Sequence, residues 1–271
     1  MRPSRLLFTA ALGLSLGASL ISSPALAQRG SYEEIRIAVD VPYEPFEYKK
    51  PDGTLTGFEV DLGHAVCDYL EIKCTWVVQA WDGMIPGLMA RKYDAIMSSM
   101  AITEERAQQV LFSEPYYTTP SAWITAKGND IDINIDIHDK ANLEGLTVGV
   151  QRATIQDRYV TDLYGDVLEI RRYGTADDVV ADMRTGRLDL TFMDYPIAEA
   201  TIAIGTEDSE FKRISGFISK PDKYFGKGVG VAFRKRDKEL AEMFNEALTT
   251  LKKNGTYDKI MHEYFTYDVK L

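Results

Sequence analysis

From residue 34 onward the chain alternates strand-like segments with amphipathic helical ones, a pattern that points to an α/β architecture. In EEIRIAVD the residues Ile35, Ile37 and Val39 fall on one side, as a strand requires, and a proline-bounded loop, VPYEPF, follows. Leu62, Ala65, Val66, Tyr69 and Leu70 share one helical face, CTWVV reads as a second strand, MIPGLMAR as a short helix and YDAIMSSM as a third strand. The second half repeats this alternation with LTVGV, a helix over 155–163, VLEIRRY, a helix around 176–185, and LDLTFMD. Leu240, Met243, Phe244, Ala247, Leu248 and Leu251 mark an amphipathic helix of core type that stops at Asn254-Gly255.

Open α/β sheets bind ligands at the carboxyl ends of their strands, so residues at strand ends are the candidates for a site. Arg106 is the oddest of them. Thr103 reads as a helix N-cap, and Glu104 and Glu105 suit the positive end of a helix dipole, but Arg106 places a cation in the same first turn. Two readings stand: a solvated surface arginine, or a cation that joins the free N–H groups of the helix start to bind a carboxylate. The glycines of FGKGVGVAF, Gly226, Gly228 and Gly230, precede a strand-like segment, not a helix, so they do not form a dinucleotide fingerprint; a flexible crossing between two lobes fits them better.

Arg2 and Arg5, an apolar run over 6–21 and the Pro24-Ala25-Leu26-Ala27 end form a secretory signal with a small-residue cleavage pattern, so residues 1–27 are expected to be removed. The run is shorter and richer in small residues than the roughly 20-residue span of a membrane anchor. About 244 residues remain, enough for one large domain or two ordinary ones. Without Arg2 and Arg5 the acidic excess deepens from the −10 of the full chain to about −12, which disfavours nucleic acid and anionic membranes as partners. Cys67 and Cys74 are the only cysteines. In an oxidising compartment CDYLEIKC can close an eight-residue loop between a helix end and the next strand. Metal binding is the alternative, with only His64 nearby and no familiar zinc spacing.

Taken in order, DVPYEPFEY, GFEVDL, CDYLEIKCTWV, AIMSSMAITEER, KYFGKGVGVAFRK and NGTYDKIMHEYF resemble the periplasmic lysine/arginine/ornithine- and histidine-binding proteins over nearly all of the exported chain. The resemblance implies a two-lobed periplasmic binding protein fold of the α/β class, with the ligand in the cleft between lobes. Lobe 1 would comprise residues 28–118 and 226–271, and lobe 2 residues 119–225. It implies a monomer that captures a basic amino acid and presents it to an inner-membrane ABC permease, with no cofactor and no metal.

Residue by residue, the resemblance assigns Arg106 to the ligand's α-carboxylate, where a planar fork can grip both oxygens. Asp194, which by itself would read as a helix cap, is assigned to the α-ammonium. Ser98 and Ser99 match positions contributing hydroxyl and carbonyl groups, and Tyr43 and Trp81 match aromatic walls. Asp40 matches the acid facing the distal end of basic ligands, with Gln156 at the rim of that pocket. Four positions depart from the family. Ala101 stands where a serine is common, Gln151 where an apolar residue is usual, Ala153 where glycine is, and Ile155 where threonine is, so that Ile155 would contribute through its backbone N–H.

Three other functions are compatible with the scaffold: an opine-binding protein, a receptor-coupled sensor, and a cyclohexadienyl dehydratase-like enzyme. The enzyme needs a general acid or base at the site, and the histidines, His64, His138 and His262, all fall outside the matched positions.

Overall fold

A computed structural model describes residues 32–131 and 140–271, all within one unit, Tyr32–Leu271. The expected signal segment and His138 lie outside the described residues. Strand β1 (Glu34–Val39) leads through a small hairpin, β2 (Tyr48–Lys49) and β3 (Leu55–Thr56), into helix α1 (Phe58–Leu70). Then come β4 (Lys73–Val78), a 3-10 turn at Trp81–Gly83, α2 (Met84–Met89), β5 (Ala95–Ile96), the single-turn α3 (Glu104–Ala107) and β6 (Leu111–Phe112). The second half runs β7 (Ser121–Ala126), β8 (Thr147–Gln151), α4 (Ile155–Tyr164), β9 (Glu169–Tyr173), α5 (Ala176–Arg184), β10 (Leu190–Asp194), α6 (Tyr195–Ile202) and β11 (Phe211–Arg213). It closes with α7 (Asp222–Phe225), β12 (Ala232–Phe233), α8 (Lys238–Lys253) and α9 (Thr256–Tyr264).

Two five-stranded sheets organise these elements, one per lobe, in the orders β4-β1-β5-β12-β6 and β11-β7-β10-β8-β9. Both follow one plan: three parallel strands, then a reversed fourth, then a fifth antiparallel to it. Sequence alternation in β1 suggests one buried face, but Ile35, Ile37, Ala38 and Val39 are all fully buried because both faces of the sheet are covered. β10 is buried along its whole length for the same reason. The segments YDAIMSSM and VGVAFRK, expected as full strands, pair over only two residues each. After β5 the chain turns away through Ser99, which adopts a left-handed φ of 51°.

The apolar face read for α1 lies against α8 and α9, with Leu62, Val66 and Leu70 buried and Ala65 and Tyr69 half-buried. α8 buries Leu240, Phe244, Ala247, Leu248 and Leu251, a side-chain set worth roughly 1.5 to 3 kcal/mol for each large residue. Cys67 and Cys74 form a disulfide, Cα to Cα 6.1 Å, that ties the end of α1 to β4. The two segments joining the sheets run antiparallel and meet at a bridge between Tyr117 and Val229, and the C-terminal tail adds a second bridge from Lys270 to Tyr117. The crossing glycines are not explained by flexibility. Gly226 and Gly228 have φ of +71° and +106°, and a Cβ would come within 2.4 Å of Ile102 O at the first and 2.2 Å of a Leu271 methyl at the second. A tightly packed crossing selects them.

Candidate functional site

The carboxyl ends of the parallel strands converge on one cavity between the lobes. Asp40 follows β1, Ser98 and Ser99 follow β5, Gln151 ends β8 and Asp194 ends β10. All eleven residues singled out from the sequence line this cavity: the five just named together with Tyr43, Trp81, Ala101, Arg106, Ile155 and Gln156. The described histidines, His64 and His262, do not.

Arg106 sits at the cavity's cationic end. Thr103 caps α3 as expected, its hydroxyl accepting the Arg106 N–H at 3.3 Å. Because α3 is one turn long and that N–H is already taken, the helix start adds little, and the guanidinium itself is the positive group that the cavity presents. Its Nη1 donates to the Ala101 carbonyl at 3.1 Å, and its carbon lies 5.1 Å from the Trp81 ring centroid. Burial pulls its pKa down to about 10, against the opposing pull of Asp194, so it stays charged at neutral pH. Among the described residues no carboxylate lies within ion-pair distance of it.

Asp194 occupies the N-cap position of α6 yet makes no capping bond. Its carboxylate turns into the cavity instead, where Oδ2 accepts the Tyr43 hydroxyl at 2.6 Å and Oδ1 accepts Gln156 Nε2 at 3.0 Å. Thr119 and Ser121 hydroxyls donate to Oδ1 at 3.3 and 3.4 Å. Burial raises its pKa, and these donors and Arg106 pull the other way. Gln156, expected beside Asp40, serves Asp194 and Ser121, because α4 packs on β10. It is Gln151 that reaches Asp40, donating to Oδ2 at 2.7 Å. Burial pushes the Asp40 carboxyl up to about 6, with the Gln151 bond the largest opposing effect.

Ile155 opens α4, so its N–H lies in a first turn with no intrahelical acceptor. Several of these bonds join one lobe to the other: Tyr43 to Asp194, Gln151 to Asp40, and Trp81 Nε1 to the Ala153 carbonyl at 3.0 Å. Ion pairs Arg158–Glu105 and Arg152–Asp82 add to them at the mouth. The structure is therefore a closed one.

Two lining residues escaped the sequence reading. Thr154 caps α4 by accepting the Asp157 N–H at 3.0 Å and holds the Gln151 carbonyl at 2.8 Å. Glu47 is fully buried; its Oε1 accepts the Ser98 hydroxyl, while Oε2 has no hydrogen-bond partner among the described residues. Burial, reinforced by the neighbouring Glu59 charge, holds Glu47 well above the usual carboxylate range. Ser98 also accepts the Asp40 N–H at 2.9 Å, so Glu47 and Asp40 meet through one serine. The signal for Glu47 is present in PFEY, a carboxylate set between aromatic residues in a proline-bounded loop. Among the described residues no cluster of histidine, cysteine or acidic side chains could hold a metal ion. None of the described helices is long and apolar enough to cross a membrane.

Comparison with known proteins matches residues 35–267 to the bacterial extracellular solute-binding proteins, family 3. The L-arginine-binding protein of Pseudomonas aeruginosa is 38% identical over 262 residues, 94% of this chain and 96% of that protein. The lysine/arginine/ornithine-binding periplasmic protein of Escherichia coli is 37% identical over 270 residues, 99% of each. Among solved structures, an ancestral arginine-binding protein bound to arginine superposes with a TM-score of 0.77 at 32% identity, covering 86% of this chain and 98% of that one.

Proposed function

Because the chain belongs to the bacterial extracellular solute-binding proteins, family 3, we propose that it captures a basic amino acid in the periplasm and delivers it to an inner-membrane ABC importer. The observation that carries this is the cavity's charge layout. One guanidinium without an ionic partner among the described residues, Arg106, shares the space with Asp194 and Asp40, while Glu47 keeps an oxygen in reserve. That layout complements an α-carboxylate, an α-ammonium and a cationic side chain, and buried ligand charges need such partners.

Arg106 takes the carboxylate, Asp194 with Ser99 the ammonium, and Asp40 with Glu47 the distal cation. Tyr43 and Trp81 bound the aliphatic stem. Two adjacent acids suit a guanidinium, whose fork can serve both, so arginine is the first ligand to test. The relatives named for arginine and for lysine, arginine and ornithine support that choice.

The lobes are assigned as residues 28–118 with 226–271, and 119–225, after loss of residues 1–27 on export. The protein acts as a monomer and binds without turnover. A thermal-shift panel of the free amino acids tests the reading: a ligand at 100 times its dissociation constant adds about 2.7 kcal/mol of stability. Arginine, lysine, ornithine or histidine should raise the melting temperature. If none does, or if prephenate or arogenate is converted, the proposal fails.

A further inference from the structure

We infer that Glu59, a carboxylate outside the cavity, fixes the hydrogen-bond polarity of Ser99 inside it by way of Tyr117, and is thus a positioning residue for the ligand's ammonium group. The inference rests on the amino-acid reading of the cavity. Glu59 is fully buried in the first turn of α1. Its Oε1 accepts the Ser99 N–H at 2.8 Å and the Tyr117 hydroxyl at 2.7 Å, and its Oε2 accepts the Tyr116 hydroxyl at 2.6 Å. Three donors and the positive start of a 13-residue helix favour the charged form, although burial raises its pKa above the ordinary value. The ionisable groups facing it are Glu47, Tyr116, Tyr117 and Tyr257, and burial raises the pKa of each. Among the described residues Glu59, which accepts three hydrogen bonds where Glu47 accepts one, is the carboxylate of that nest whose surroundings favour charge.

The protons can then be counted. The Tyr117 oxygen lies 2.7 Å from Glu59 Oε1 and 2.7 Å from Ser99 Oγ. A phenol has one proton, and the carboxylate, the stronger acceptor, takes it. For the second contact to be a hydrogen bond, the Ser99 hydroxyl must donate to Tyr117. With its proton turned inward, Ser99 Oγ offers the cavity lone pairs alone, which attract an ammonium group.

The backbone agrees with this assignment. Ser99 is a non-glycine residue at a φ of 51°, a sparsely populated conformation that its surroundings must hold, and its N–H is pinned to the same carboxylate. Tyr117 also carries the bridges to Val229 and Lys270, so the node joins the cavity wall to the segment between the sheets.

The test is a double-mutant cycle by calorimetry, with arginine and lysine as the probes, on wild type, Glu59→Gln, Tyr117→Phe, Ser99→Ala and the paired variants. Glu59→Gln and Tyr117→Phe should each weaken both ligands about tenfold. In the Ser99→Ala background neither should cost more than about twofold, because the group through which they act is gone. A purely structural role gives losses that add in full, and that result would overturn the inference while leaving the amino-acid site intact. A wild type that binds neither ligand overturns both. If Glu59→Gln does not fold, the Tyr117→Phe and Ser99→Ala pair decides alone.

Discussion

Replacing Asp40 by Asn should make the ligand-free protein more stable and its grip on basic ligands weaker. The carboxyl titrates at about 6 instead of its ordinary 3.8, chiefly because it is buried. A gap of about 2 in pKa corresponds to roughly 3 kcal/mol by which ionisation at neutral pH disfavours folding. The sign follows from the proton count. Between pH 4 and 6 the folded state holds the proton more tightly than the unfolded chain, so raising the pH through that window removes stability. Asn keeps an acceptor for Gln151 Nε2, now at 2.7 Å from Oδ2, and does not titrate.

Thermal unfolding of the ligand-free proteins from pH 4 to 8 should therefore show the variant gaining about 1 to 3 kcal/mol at pH 7. That is about 2 to 12 °C for a chain of this size, shrinking toward nothing near pH 4. Arginine affinity at pH 7 should fall by about 2 to 5 kcal/mol, the cost of leaving a buried ligand cation unpaired. A neutral amino acid such as glutamine should lose far less. Two results would refute the reasoning: a variant no more stable than wild type at pH 7, or equal losses for arginine and glutamine.

Arg106→Ala should weaken every α-amino acid by about 2 to 5 kcal/mol whatever its side chain, and Arg106→Lys should restore little because the bidentate fork is lost; calorimetry on both variants checks this. In wild type, arginine affinity should fall as pH drops through about 6, where Asp40 takes up a proton, and Gln151→Leu should move that midpoint upward by removing the donor that favours the charged form; titrations from pH 5 to 8 measure it. Ala101→Ser should tighten binding of free arginine by about 0.5 to 3 kcal/mol by adding an acceptor near the ammonium, read as a lower dissociation constant. Reducing the Cys67–Cys74 disulfide should cost about 2 to 3 kcal/mol of stability without changing ligand preference, seen as a lower melting temperature with a reductant than without it.

Much of this protein can be read in its one-dimensional pattern, because helices and strands impose local periods that apolar residues must follow. The face of α8 from Leu240 to Leu251, the Thr103 cap and the strand that ends at Asp194 are all local facts. Residues that end strands stand out as candidates, since parallel sheets bring such ends together. What could not be read locally was who bonds to whom. Gln151 and Gln156 lie five positions apart, yet one reaches Asp40 across the cleft and the other Asp194 on β10, a division set by the packing of α4 and the closing of the lobes. The short pairing of β5 and β12 depends on the turn at Ser99, and the close contact at Gly226 on Ile102, more than a hundred residues away. The acids were least legible of all. Asp40, Glu47, Glu59 and Asp194 look alike in a sequence, but desolvation and the number of donors around each decide which carries charge, and both are properties of the assembled fold.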